Sequence, residues 1–189
     1  MARGVARDHD EKREALRKGA AKYFAAHGFD RASMSGAAKA CGVSKALIYH
    51  YWDSKEALLF DILDGHLSAL AEVFDEGRTS GLRGLIRAVL MAYADADAEH
   101  KLQLDALGVL PLERQKPLID IQRELVAVMS EAVAQERPEL SGERLRAAAM
   151  TVFGILNWYY MWHRPKHGMS REEYADFAGD FVIGGLGAV

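Results

Sequence analysis

The chain has 189 residues, a net charge of −3, 50% hydrophobic and 27% charged residues, and a single cysteine, Cys41. That balance excludes a disordered chain and a disulfide framework, and no run of 18 apolar residues marks a membrane span. The N-terminal stretch MARGVARDHDEKREAL lacks the apolar core of a secretory signal, so the expectation is a cytoplasmic globular protein with no membrane partner.

Strand signals are scarce, whereas helix-period apolar spacing recurs along the chain. Leu16, Ala20, Tyr23 and Phe24 define a first helix over 10–27, stopped by Gly28. Ser33 caps a second over 34–41, ended by Gly42, and Ser44 caps a third over 45–51. Asp53-Ser-Lys-Glu56 resembles a capping box and opens a long helix reaching Gly77 through Leu58, Leu59, Ile62, Leu63, Leu67, Leu70 and Phe74. After a Gly77–Gly84 break come a helix through Leu85 to Tyr93, a short one over 102–110 before Pro111, and one over 115–135 ended by Pro138. Ser141 opens a segment running to His163 and closed by Pro165. Ser170-x-x-Glu173 is a capping box for the last helix. The expected fold is all-α, with about nine helices.

Charge is uneven. Residues 1–60 hold eleven Lys and Arg against seven Asp and Glu, and the remainder holds thirteen against twenty. A basic head on an acidic body suits an anionic partner, although a swing of this size also arises without one.

The head contains two short helices joined by Gly42-Val43-Ser44, a helix-turn-helix pair. A helix of seven or eight residues is unstable alone and must be held by neighbours, which leaves its outer face free for contact. Lys45 can reach guanine or phosphate, Tyr49 and His50 can donate to bases or phosphates, and Ala46 allows close approach to a thymine methyl. Ser33 and Ser44 stand at helix N-termini, where N–H groups attract phosphate, and Lys55 opens the next helix at a position suited to a backbone contact. Helix-turn-helix pairs also occur in proteins that never touch DNA. Trp52 fits packing under the fourth helix, and Cys41 a small buried residue.

Residues 33–63, SMSGAAKACGVSKALIYHYWDSKEALLFDIL, resemble the signature of TetR-family transcriptional regulators: a Gly-aromatic pair, then AxxxGVSxxxxYxYFxxKExL. Gly28-Phe29 matches the first part. Ala38, Gly42, Val43, Ser44, Tyr49, Tyr51, Lys55, Glu56 and Leu58 match the second. The chain departs from the pattern at Ala37-Ala38, where Ile-Ala is common, and at Trp52, where Phe is usual; Gly36 adds about 1 kcal/mol of helix cost. The resemblance implies that Lys45, Ala46, Tyr49 and His50 face the major groove of double-stranded DNA while Ser33, Ser44, Tyr51 and Lys55 contact phosphates. It also implies a division into a DNA-binding domain, 1–55, and an effector-binding and dimerisation domain, 56–189.

In the body, the segment after Ser141 carries Leu145, Ala149, Val152, Leu156, Tyr159 and His163 on one face and Ala148, Ile155, Trp158 and Trp162 on the other. Tyr174, Phe177 and Phe181 line one side of the last helix, beside Gly184-Gly185. A helix apolar on both faces is buried on both, so the last two helices are expected to pair in a homodimer that reads an approximately palindromic operator. A central core helix in a monomer is the alternative. Met91, Leu104, Leu107, Met129, Phe153 and Trp158 suit an apolar effector cavity, and each also fits plain core.

The segment NWYYMWHRPKHGMSREEYADF resembles the C-terminal ends of family members that regulate fatty-acid and aromatic-acid degradation, some of which respond to acyl-CoA esters. That implies a small-molecule effector such as an acyl-CoA, acting as inducer or corepressor. Arg114, Lys116, Arg123 and Arg164 are candidates for its phosphates or are solvated surface charge. No G-x-S-x-G, H-E-x-x-H, P-loop or strand-linked G-x-G-x-x-G occurs, so no catalytic residue and no cofactor is expected. Neither His163 with His167 nor Asp95, Asp97, Glu99 and His100 is expected to bind metal. A helical interaction module without an effector is the remaining alternative.

Overall fold

The computed structural model describes residues 2–164 and 168–188, with side chains from residue 9 onward. Among the described residues there is no β-strand, and the α-helices are α1 (Ala2–His27), α2 (Met34–Ala40), α3 (Lys45–Tyr51), α4 (Lys55–Gly77), α5 (Gly81–Ala92), α6 (Asp97–Ala106), α7 (Leu112–Glu136), α8 (Gly142–Asn157), α9 (Tyr159–Trp162) and α10 (Arg171–Leu186). Short 3-10 turns follow α5 and α6.

The chain forms two compact units. One comprises Met1–His66 with Ala98–Leu118, and the other comprises Leu67–Asp97 with Ile119–Val189. Compactness therefore does not follow chain order, because α6 packs with the N-terminal helices.

In the first unit, α1 buries Leu16, Ala20 and Phe24, the residues its spacing indicates. Phe24 meets Phe29 edge-on at 5.5 Å, and Ile48 of α3 and Leu58, Leu59 and Ile62 of α4 are fully buried. Gly36 has a packing reason that its propensity hides: a Cβ there would lie 2.0 Å from the Tyr23 hydroxyl oxygen, so any larger residue displaces the Tyr23 side chain. Lys101 of α6 donates to the carbonyl of Ala25 at 2.9 Å, satisfying an open acceptor at the end of α1.

The same unit buries His66, Glu99 and His100. Burial first, then His100 nearby, hold the His66 imidazole far below its ordinary range, at about 3; burial pushes the Glu99 carboxyl up.

In the second unit, α10 packs along α5, whose Leu82, Leu85, Ile86, Val89 and Leu90 are buried. Arg87 pairs with Asp176 at 2.6 Å, and Arg83 pairs with Asp180. Phe74 stacks on Phe153 at 5.9 Å. Arg171 reaches Asp97 at 3.1 Å and the Leu90 carbonyl at 3.3 Å, its guanidinium 4.8 Å from the Tyr159 ring.

Several boundaries differ from the sequence reading. The cap of α4 is Ser54, whose Oγ accepts from Ala57 N at 3.0 Å, so the start falls one residue later than Asp53 suggests. The first helix extends upstream to Ala2, α6 opens at Asp97, and α7 opens at Leu112 and accommodates Pro117. The segment after Ser141 is broken at Trp158, next to Asn157, whose carboxamide oxygen accepts from the Tyr93 hydroxyl at 3.0 Å. Burial pushes that phenol's pKa up. The Ser170–Glu173 capping box is present with both bonds. The expected stop at Pro165 and the His163–His167 spacing involve residues outside those described.

Candidate nucleic-acid interface

Local chemistry sets the geometry of the turn. Ser33 Oγ accepts from Gly36 N and Ser44 Oγ from Leu47 N, each at 3.1 Å, so both serines cap their helices as their positions predict. At the corner, Gly42 takes φ +69°. Val43 N donates to Ala38 O at 3.0 Å and Gly42 N to Lys39 O at 3.1 Å, closing a Schellman motif. Cys41 is half-buried against Gly19, its thiol pKa pushed up by burial; a thiol held protonated is a poor nucleophile.

This arrangement divides α3 into two faces. Ile48 is fully buried and Leu47 half-buried, whereas Lys45, Ala46, Tyr49 and His50 form a contiguous exposed face. The Lys45 ammonium lies 5.6 Å from the Tyr49 ring centre. Tyr51 is half-buried between the ring of His9 at 4.8 Å and that of Trp52 at 5.4 Å. Trp52 is buried, as its packing reading requires.

Lys55 sits differently from the reading that gives it a phosphate. Its ammonium donates to the carbonyls of Phe29 at 2.8 Å and Ala32 at 3.1 Å, lies 3.5 Å from that of Asp30, and covers the Phe29 ring at 4.2 Å. Its donors are directed into the α1–α2 loop, between α1 and the Ser33 cap.

Spacing does not reveal Asp61. Its carboxylate accepts from Arg13 Nη2 at 2.7 Å and from Trp52 Nε1 at 2.9 Å, joining α1, α4 and the end of α3. Arg13 and Asp61 are 48 positions apart, beyond the reach of any local pattern.

The six residues suggested for an apolar cavity divide between the units. Leu104, 45% exposed, and half-buried Leu107 belong to the first; Met91, Met129, Phe153 and Trp158 belong to the second. Met129 and Phe153 are buried, Met91 is half-buried, and Trp158 is 59% exposed. None of the six lines the cleft of about 410 Å³ between α8 and α10, whose walls include Ala148, Val152, Ile155, Phe181 and Gly185. Beside that cleft Phe177 and Phe181 are 52% and 63% exposed and stack at 6.2 Å.

The two faces expected after Ser141 are distinct. Ala149, Val152, Leu156 and Tyr159 are buried, while Trp158 and Trp162 are exposed. Of the cation candidates, Arg114 covers the Phe60 ring at 5.9 Å, Arg123 pairs with Asp120 at 2.8 Å, and Lys116 and Arg164 are exposed. Among the described residues no group of three or more His, Cys, Asp or Glu could hold a metal ion, and no helix is long and apolar enough to cross a membrane.

The model for bacterial regulatory proteins of the tetR family matches residues 16–62, and the model for the tetracyclin repressor-like C-terminal domain matches residues 76–186. A TetR-family transcriptional regulator from Bordetella parapertussis 12822 is 31% identical, covering 90% of this chain and 93% of that one, with a TM-score of 0.83. The HTH-type transcriptional repressor KstR2 of Rhodococcus jostii (strain RHA1) is 36% identical over 84 residues, 43% of this chain and 41% of that protein. The chain's match spans less than half the length of the curated relatives it resembles. AibR, solved in complex with isovaleryl coenzyme A and operator DNA, shares the fold at a TM-score of 0.79 and 22% identity, covering 91% of this chain and 98% of that one.

Proposed function

Because the chain belongs to the TetR family of bacterial transcriptional regulators, we propose that it is a cytoplasmic repressor that holds an approximately palindromic operator as a homodimer and releases it on binding an acyl-CoA or a related fatty- or aromatic-acid derivative. Residues 1–55 bind DNA and residues 56–189 bind the effector and dimerise. The observation that carries the reading is the exposed face of α3, where Lys45, Ala46, Tyr49 and His50 stand on a helix whose opposite side is buried. These groups serve base edges in the major groove, and Ser33, Ser44 and Tyr51 serve phosphates.

Dimerisation through α8 and α10 is supported by the apolar cleft between them and by exposed Phe177 and Phe181. Gly154, Gly184 and Gly185 have open space at the Cβ position, which lets a partner helix approach closely. The effector class is supported by AibR, a protein of the same fold solved with an acyl-CoA. In this chain Met91, Met129 and Phe153 are the proposed apolar contacts. Release requires the effector to bind the DNA-incompetent state more tightly by a few kcal/mol, about 1–3 for a typical coupling.

The test is to select a binding site from randomised duplex DNA, then titrate the complex with isovaleryl-CoA and longer acyl-CoAs while following thermal stability. Release accompanied by a rise in melting temperature supports the reading. A ligand that tightens the complex makes the protein a corepressor-dependent regulator, and absence of any selected site removes the DNA-binding role.

A further inference from the structure

Recognition helix α3 has seven residues, too few to hold its own orientation in water. Among the contacts that hold it are the Gly42 corner and Ser44 cap at its start, the buried Ile48 in its middle, and Trp52 at its end. Of these the first and last are directional, because an apolar contact such as Ile48 tolerates rotation, whereas a hydrogen bond does not.

At the end, the chain leaves the helix with Trp52 N donating to Ile48 O at 3.1 Å, and the indole turns inward to 4% exposure. Its Nε1–H donates to Asp61 Oδ2 at 2.9 Å, while the other carboxylate oxygen, Oδ1, takes Arg13 Nη2 at 2.7 Å. Arg17 adds a longer contact, Nη1 to the Asp61 carbonyl at 3.4 Å. The Asp61 side chain is 16% exposed and that of Arg13 48%, so the carboxylate is sheltered while the guanidinium meets solvent. One carboxylate thus ties α1, α4 and the end of α3 at a single point. A phenylalanine in place of Trp52 would fill most of the same space and offer no donor.

We propose that Asp61 is a positioning residue for operator recognition, setting the angle of α3 through Trp52 with Arg13 holding the carboxylate in place. The proposal rests on the reading of α3 as the DNA-facing helix. Asp61 touches no base or phosphate in it; it acts through Trp52, so its effect falls on fit to a particular sequence and not on general attraction to DNA.

The experiment measures binding of parent, Trp52→Phe, Asp61→Ala, Asp61→Asn and Trp52→Phe/Asp61→Ala to the duplex the parent selects from a randomised pool and to a mixed-sequence duplex. Measurements are made well below every melting temperature. Trp52→Phe and Asp61→Ala each weaken the selected duplex about tenfold, the size of one charge-assisted hydrogen bond, and leave mixed-sequence binding and its salt dependence unchanged. The double variant is no weaker than Asp61→Ala alone, and Asp61→Asn, which keeps an acceptor, recovers part of the loss.

Unchanged affinities, losses that multiply in the double variant, or equal losses on both duplexes overturn the proposal. The Trp52 indole N–H proton resonance, identified by its loss in Trp52→Phe, gives an independent reading. A downfield position that moves upfield in Asp61→Ala supports the clamp, and an unmoved resonance overturns it. Should the parent retain no duplex at low salt, the DNA-facing reading of α3 fails, and the indole resonance still decides whether the clamp exists.

Discussion

The Lys55 ammonium donates to the Phe29 carbonyl at 2.8 Å and lies 4.2 Å above the ring of the same residue. One side chain therefore fixes both the backbone and the aromatic plug of the α1–α2 loop, immediately before the Ser33 cap. Lys55→Met keeps the stem and removes the charge. It should cost about 1.5–3 kcal/mol, the value of one hydrogen bond to a charged donor. For a chain of this length that lowers the melting temperature by about 2–4 °C per kcal/mol. The slope of log K against log salt should stay that of the parent. A slope reduced by about one unit with unchanged melting would return Lys55 to the phosphate backbone.

Gly36 faces the hydroxyl of Tyr23 so closely that an added methyl would sit 2.0 Å from it. Helix propensity alone predicts that Gly36→Ala stabilises α2 by about 1 kcal/mol. Overpacking predicts a loss of about 1–3 kcal/mol. The variant should melt lower than the parent, and adding Tyr23→Ala should recover the part due to the clash. A Gly36→Ala variant that melts higher would contradict the packing described.

His66 gives the first unit a pH dependence of defined sign. Its ordinary value is 6.5 and its folded value about 3, so between these values the unfolded chain takes up a proton that the folded one excludes. The associated stability is present above pH 6.5 and lost as pH falls towards 3, about 2 kcal/mol by pH 5. Glu99, raised by burial, acts in the opposite direction, so the diagnostic is the difference between variants. His66→Gln should lose less stability than the parent between pH 7 and pH 5 in urea unfolding. Parallel pH profiles would show that the folded chain takes up the imidazole proton as readily as the unfolded one.

Phe181 is 63% exposed on the wall of the α8–α10 cleft. If a second copy covers it, Phe181→Glu places a charge in an apolar interface and should convert a dimer to a monomer in sedimentation at micromolar concentration. Affinity for the selected duplex should then fall by at least about tenfold, because half of a two-fold site contributes alone. An unchanged sedimentation coefficient would move the interface elsewhere.

Features whose causes are local were legible in the sequence. Ser33, Ser44 and Ser170 cap the helices they precede, and Gly42 turns the corner, because a cap and its partner lie within a few residues of each other. The exposed face of α3 follows from Ile48 pointing inward on a short helix. Distant partners were not legible. Nothing near Lys55 announces that its donors turn back to residues 29–32, and nothing near Asp61 names Arg13 or Trp52. The apolar residues suggested for a cavity show the same limit, since Leu104 and Met129 are both apolar while one is 45% exposed and the other fully buried. Beside the break at Trp158, Asn157 meets Tyr93, 64 positions away.

The most direct test of the central claim compares the duplexes selected from a randomised pool by the parent and by His50→Ala at one salt concentration. His50 is exposed on α3 and is proposed to touch base edges. The parent should enrich an approximately palindromic site, and the variant should relax preference at symmetric positions in the two half-sites, by about 1–3 kcal/mol of discrimination, with an unchanged salt slope. An identical enriched sequence from both proteins would contradict the assignment of this face, and no enriched sequence from the parent would contradict operator recognition by this chain.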